Sequence, residues 1–232
     1  MRKILSKPYL KMFVFYGLVL IPTFFLCYER HLSFFFVVVA MLLTSLIEIP
    51  IYKFKTKKPE YSKLEAMRIA EVYGVPVAEE MQEDSAKTYK TWVTLNMGGF
   101  IIPLTYSFYI LLSYPELLLK LVMPVLLMAI FSYMLSEVKG GVGIVIPSYV
   151  GIFAIPIGLI FATQSESTLN AGLLMIWIFV PAIFGILLGV LIRLTTRSNE
   201  EDGSAFFNIG GIGSFHSIYL ISILTLLISV VA

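Results

Sequence analysis

The chain reads as an all-α membrane protein with seven transmembrane helices, and three observations lead there. Of its 232 residues 58% are hydrophobic and 14% charged, and the mean hydropathy is +0.89, outside the soluble globular range. Seven apolar runs stand between charged breaks, each near the roughly 20 residues that a helix needs to cross a bilayer core of about 30 Å. The runs are continuous rather than alternating apolar and polar, which excludes a membrane β-barrel.

In chain order the predicted spans are 9–28, 32–52, 92–114, 117–135, 142–163, 169–192 and 206–231, within a single polytopic domain covering 1–232. The first follows a basic start, but it is long for a secretory apolar region and no small-x-small cleavage site follows. Phe25 and Leu26 before Cys27 are also too bulky for a lipoprotein cleavage site, so the run is expected to stay as an anchor. The second and third spans flank a cytoplasmic loop, 53–91, with a basic start (Lys53, Lys55, Lys57, Lys58) and an acidic later half (Glu71, Glu79, Glu80, Glu83, Asp84). Within it Ser62 and Glu65 have capping-box spacing for a short helix to Tyr73, stopped by Gly74 and Pro76. That helix is either a lid or docking segment, or a solvated connector whose lysines meet anionic headgroups. The remaining four spans are joined by short loops, and Pro22, Pro50, Pro103, Pro124, Pro147, Pro156 and Pro181 are expected to break or kink the first six.

Charge sets the orientation. Net charge is only +2, so no basic field points to nucleic acid, yet the cations are unevenly placed. With the N-terminus cytoplasmic and the C-terminus outside, fifteen of the 17 Lys and Arg lie inside; only Arg30 and Lys120 lie outside. The expected location is the cell membrane, multi-pass. One cysteine and two histidines, His31 and His216, supply neither a disulfide framework nor a metal cluster, and no cofactor or metal is expected.

Polar side chains inside a span are costly and therefore functional candidates. Glu48 lies four residues before the cytoplasmic end of its span and Asn96 four after the start of the next, both roughly 6 Å deep at 1.5 Å per residue. The most polar stretch is Asn208 to Ser217, holding Asn208, Ser214, His216 and Ser217. Gly210, Gly211 and Gly213 argue that it begins unwound or re-entrant, with regular helix from about Ser214, which raises His216 to the level of Glu48 and permits a Glu48–His216 hydrogen bond. Similar glycine-rich starts recur at Gly98 and Gly99, and at Gly140, Gly141 and Gly143 with Pro147. The starts at Gly140 and Gly210 share Gly-Gly-x-Gly and a tyrosine six residues after the final glycine, either a degenerate parallel repeat or small residues that let helices approach.

Four stretches together, Ser45-Leu46-Ile47-Glu48-Ile49-Pro50, Leu95-Asn96-Met97-Gly98-Gly99-Phe100-Ile101-Ile102-Pro103, Gly141-Val142-Gly143-Ile144-Val145-Ile146-Pro147 and Asn208 to Leu220, resemble an archaeal and bacterial membrane family, domain of unknown function 1614. The resemblance implies Asn in place of Glu48 and Asp-Gly in place of His216-Ser217 in other members, and it carries no activity with it.

Three functions are then open. Broken spans with Glu48, Asn96 and His216 on one side fit a small proton-linked, transporter-like protein. The same polar groups could tie helices together in a non-catalytic scaffold or assembly factor. An intramembrane lipid-modifying or protease-like enzyme comes third. Gly211-Ile212-Gly213-Ser214 looks like the Gly-x-Gly-Asp signature of presenilin-like and prepilin-type proteases, but serine replaces the aspartate and no span contains Asp. Expected partners are the lipid bilayer and a second copy or another membrane chain, with no nucleic acid.

Overall fold

The structure, a computed structural model, describes residues 7–28, 31–57, 62–73, 88–139, 142–165, 170–196 and 206–231, which are mostly helical. Its centre is a 25-residue helix, α7 (Ala171–Thr195), about 37 Å long at 1.5 Å per residue. Asn170 caps it by accepting the Leu173 N–H at 2.9 Å. Residues 176–183 are all buried, because a helix that is apolar all round must be enclosed. The enclosing helices are α4 (Ile102–Ser113), α5 (Val122–Leu135), α6 (Ala154–Ser165) and α8 (Phe215–Val231), with α2 (Leu32–Thr44) touching through Phe34 on Phe179, while α1 (Lys7–Cys27) packs outside on α2 and α8. Gly185 and Gly189, four residues apart, let α5 approach α7: a Cβ on either would fall on Met128 or Ser132. Gly158 of α6 likewise lies against the Trp177 carbonyl.

Each predicted span contains one apolar helix. Among the described residues, 148–165 and 171–195 are long and apolar enough to cross a membrane by length and composition; the other five are shorter. α1 has 21 residues, of which 11–27 form the apolar stretch; the other four are shorter because their spans are not helical throughout, and the all-α expectation is corrected by five strands among the described residues. β1 (Glu48–Lys57) takes the end of the 32–52 span and β2 (Thr88–Asn96) the start of 92–114. β3 (Glu137–Lys139) and β4 (Gly143–Val145) form a hairpin, and β5 (Phe206–Ile209) opens 206–231. The sheet order is β1-β2-β5, with β1–β2 antiparallel and β2–β5 parallel. A hydropathy window counts apolar residues whatever their period, whereas stretches such as Thr91-Trp92-Val93-Thr94 are β-branched and aromatic, with Val93 buried and Trp92 exposed. Pro50 sits on the edge strand β1, where register shifts between Pro50 and Tyr52. Phe54 stacks on Phe207 across the sheet at 6.0 Å between ring centres.

The helical hairpins α4–α5 and α6–α7 each leave this strand end and return to it. Most of the prolines do not kink helices as expected. Pro103, Pro124 and Pro156 stand in the first turns of α4, α5 and α6, where the missing N–H has no intrahelical partner anyway, and Pro50 and Pro147 lie outside α-helix. Only Pro22 and Pro181 lie inside helices. In the loop, α3 (Lys63–Tyr73) forms with its capping box: the Ser62 N–H and hydroxyl donate to Glu65 at 3.0 and 2.8 Å, and the Glu65 N–H returns to Ser62 Oγ at 3.3 Å. Ala66 and Ile69 of α3 pack on Val142, Val145 and Ile212, covering part of the strand end.

Candidate functional site

The glycine-rich starts meet at the strand end, each in a different backbone form. Residues 97–101 form one π-helical turn, and Asn96 caps it: its Oδ1 accepts the Gly99 N–H at 2.9 Å while its Nδ2 donates to the Ser45 carbonyl at 2.6 Å. Gly143 opens β4 at φ 100°, and Pro147 then precedes a 3₁₀ segment, Ser148–Phe153. Gly210 ends β5 at φ 78°, and a turn leads into α8 at Phe215. Asymmetric caps of this kind make the three starts non-equivalent, so the degenerate sequence repeat is not a repeat of conformation. Gly140 and Gly141 lie outside the described residues.

Backbone touches backbone where these segments cross. A Cβ on Gly99 would fall on the Gly210 carbonyl, and one on Gly210 would fall on Gly99. Gly98 lies against the Met41 carbonyl in the same way, and Gly213 against that of Ile144. The Gly213 carbonyl accepts the Ile146 N–H at 2.7 Å. Ser214 accepts the Gly210 N–H at 3.1 Å, and Ser217 accepts the buried Gly151 N–H at 2.8 Å, fastening α8 to the 3₁₀ segment. Gly211 leaves the space that the Asn208 side chain fills.

Register decides the partners of Glu48. Asn96 stands opposite Glu48 in the β1–β2 ladder, and Thr94 opposite Asn208 in β2–β5. The half-buried Glu48 carboxylate accepts a close hydrogen bond from the Asn208 amide and a long one, 3.4 Å, from the Thr94 hydroxyl. The bond expected between Glu48 and His216 is therefore not the one formed. His216 is exposed on α8, and its Nδ1 shares a 3.0 Å hydrogen bond with the Tyr16 hydroxyl of α1. Helical rise sets the depths of Glu48 and His216 only if both stand on helices, but Glu48 is on a strand and β5 brings Asn208 to it first. Thr94, Ser45, Gly151 and Tyr16 are the partners that sequence reasoning missed. A Thr two residues before Asn96 on one strand face was the available signal for the first; the others come from distant elements.

Chemically, the strand end offers one carboxylate, two amides and the hydroxyls of Thr94, Ser214 and Ser217, most of them already bonded within the chain. The Asn208 Oδ1 is buried without a partner. Among the described residues no three His, Cys, Asp or Glu side chains come together. Asp84 and Asp202, the chain's two aspartates, lie outside the described residues. Away from the strand end, a cavity of about 220 Å³ between α4, α5 and α7 is lined by apolar side chains including Phe108, Leu121, Val125, Val180 and Phe184.

The family model described as "Protein of unknown function (DUF1614)" matches residues 42–228, so the chain belongs to that family. No curated protein and no solved structure matches the chain.

Proposed function

We propose that this DUF1614 member is a multi-pass membrane protein with a proton-linked transport function, its strand end cytoplasmic and Glu48 its working carboxylate. Membrane residence is supported by the outward faces of the bundle: Phe25, Leu112 and Leu119 are 74%, 81% and 83% exposed, and Phe15, Leu18, Leu43 and Met123 are exposed as well. A water-facing protein rarely leaves so many large apolar side chains exposed. Seven crossings with the N-terminus inside put fifteen of the 17 Lys and Arg in cytoplasmic segments of the sequence, where the positive-inside rule expects them.

The observation that carries the transport reading is the meeting of interrupted segments around a carboxylate. Proton-coupled carriers hold a titratable group where broken helices cross, so that its charge state biases their packing. Here ionised Glu48 accepts from Asn208 and ties β1 to β5. Protonation removes the charge that strengthens this tie and loosens the strand leading into the Gly210 turn. Proteoliposomes loaded with a pH-sensitive dye test the reading. Wild type should dissipate an imposed pH gradient faster than empty liposomes, and folded Glu48→Gln should lose at least about tenfold of that rate, the equivalent of one charge-assisted interaction. Equal rates for wild type and Glu48→Gln would refute the role of Glu48.

A second reading, a non-catalytic scaffold, is favoured by Asn96, Ser214 and Ser217, whose polar atoms are taken up in capping interrupted backbone. It predicts no flux from wild type and a loss of stability from each substitution.

A further inference from the structure

We propose that α8 carries a file of bound water between its two ends, and that this file is the proton route; the second clause rests on the transport reading above, the first does not. Tyr219, Ser222, Thr225 and Ser229 recur at spacings of three, three and four residues, so they share one side of the helix. All four are fully buried. The hydroxyls of Tyr219 and Thr225 have no hydrogen-bond partner, while Ser222 and Ser229 bond back to the carbonyls of Ile218 and Leu226 at 2.7 and 2.8 Å. A buried hydroxyl without a partner is costly unless water satisfies it. Neighbours three or four apart on a helix are about 5–6 Å apart at Cβ, which two hydrogen bonds through one water can bridge.

A histidine stands at each end of the file. At the strand end His216 bonds to Tyr16, whose ring lies 4.6 Å from that of Tyr219 at an edge-on angle. Thirteen residues further along α8, His31 Nε2 lies 3.1 Å from the Ser229 carbonyl. A carbonyl only accepts, so Nε2 carries the proton of neutral His31, and Nδ1 is the atom left to gain or release one. A proton taken up at His216 moves along the file as each water, and each hydroxyl once it turns from its helix carbonyl, accepts a proton on a lone pair and hands on another; the last water passes it to Nδ1 of His31, which gives it up to water outside. No bond other than O–H and N–H is made or broken.

Hydroxyl-radical labelling by an X-ray pulse, read by mass spectrometry on the protein in nanodiscs, tests the water directly, because radicals form from water bound beside a side chain. Tyr219 should label at least about tenfold more than the equally buried Phe34 and Phe179, and Thr225→Val with Ser222→Ala should bring it down to their level by removing the water's partners. Tyr219 labelling no better than Phe34 in wild type overturns the file whatever the flux. Labelled Tyr219 with proton flux unchanged in Thr225→Val overturns the route and leaves the water. Labelled Tyr219 with no flux from wild type defeats the transport reading while the water file stands.

Discussion

Gly210→Ala is the sharpest perturbation of the strand end, because two independent costs fall on one methyl group. Gly210 holds φ 78°, a left-handed conformation that costs an L residue roughly 1–2 kcal/mol. The new Cβ would also lie 2.5 Å from the Gly99 carbonyl carbon and 2.7 Å from the Phe100 nitrogen. Both are backbone atoms and cannot rotate aside, so overpacking adds about 1–3 kcal/mol. The total of about 2–5 kcal/mol should appear in equilibrium unfolding by denaturant in detergent micelles. Gly17→Ala is the matched control: in α1 nothing lies within 4 Å of its Cβ, and helix propensity gives a gain of up to about 1 kcal/mol. If Gly210→Ala came within about 0.5 kcal/mol of wild type, the crossing of Gly99 and Gly210 would not be the close contact described.

Further substitutions probe the caps. Asn96→Ala leaves both the Gly99 N–H and the Ser45 carbonyl without their side-chain partner in a buried site, and should cost about 2–5 kcal/mol in the same unfolding assay. Ser217→Ala orphans the buried Gly151 N–H alone and should cost about 1–3 kcal/mol, with faster amide exchange confined to the 3₁₀ segment and the start of α6. The Ser62 backbone N–H, then its hydroxyl, hold the Glu65 carboxyl below the usual carboxylate range. The cap is thus complete above the unfolded value of about 4.3 and is lost as pH falls through the lowered folded value, so amide protection factors in α3 should fall as the solution is acidified below the unfolded value and show no such fall in Glu65→Gln.

How much of this was legible depended on whether the signal was local. Ser62 and Glu65, three residues apart, announced α3 and its cap without any tertiary information. Gly210, Gly211 and Gly213 announced an unwound start, and α8 begins at Phe215, one residue beyond the expected Ser214. The strands were hidden because Ile49, Ile51, Val93 and Leu95 raise a hydropathy window as effectively in β conformation as in helix. Once the strands were read as helix, depth replaced register, and His216 rather than Asn208 became the expected partner of Glu48. The Tyr16–His216 bond joins residues 200 apart, and no local pattern encodes it. By contrast the spacing of Tyr219, Ser222, Thr225 and Ser229 is in the sequence, but serine and threonine are unremarkable in membrane spans until their burial is known.

Everything about Glu48 and the proton route requires the strands to share one membrane face. Impermeant maleimide labelling of single-cysteine variants in a Cys27→Ala background, in sealed right-side-out vesicles, tests this directly. Ser113→Cys, at the end of α4, and Glu116→Cys, between α4 and α5, should label from outside, and Lys53→Cys and Lys139→Cys, on β1 and β3, only after permeabilisation. Labelling of Lys53→Cys and Lys139→Cys from opposite faces would contradict the shared strand end and, with it, the placement of Glu48.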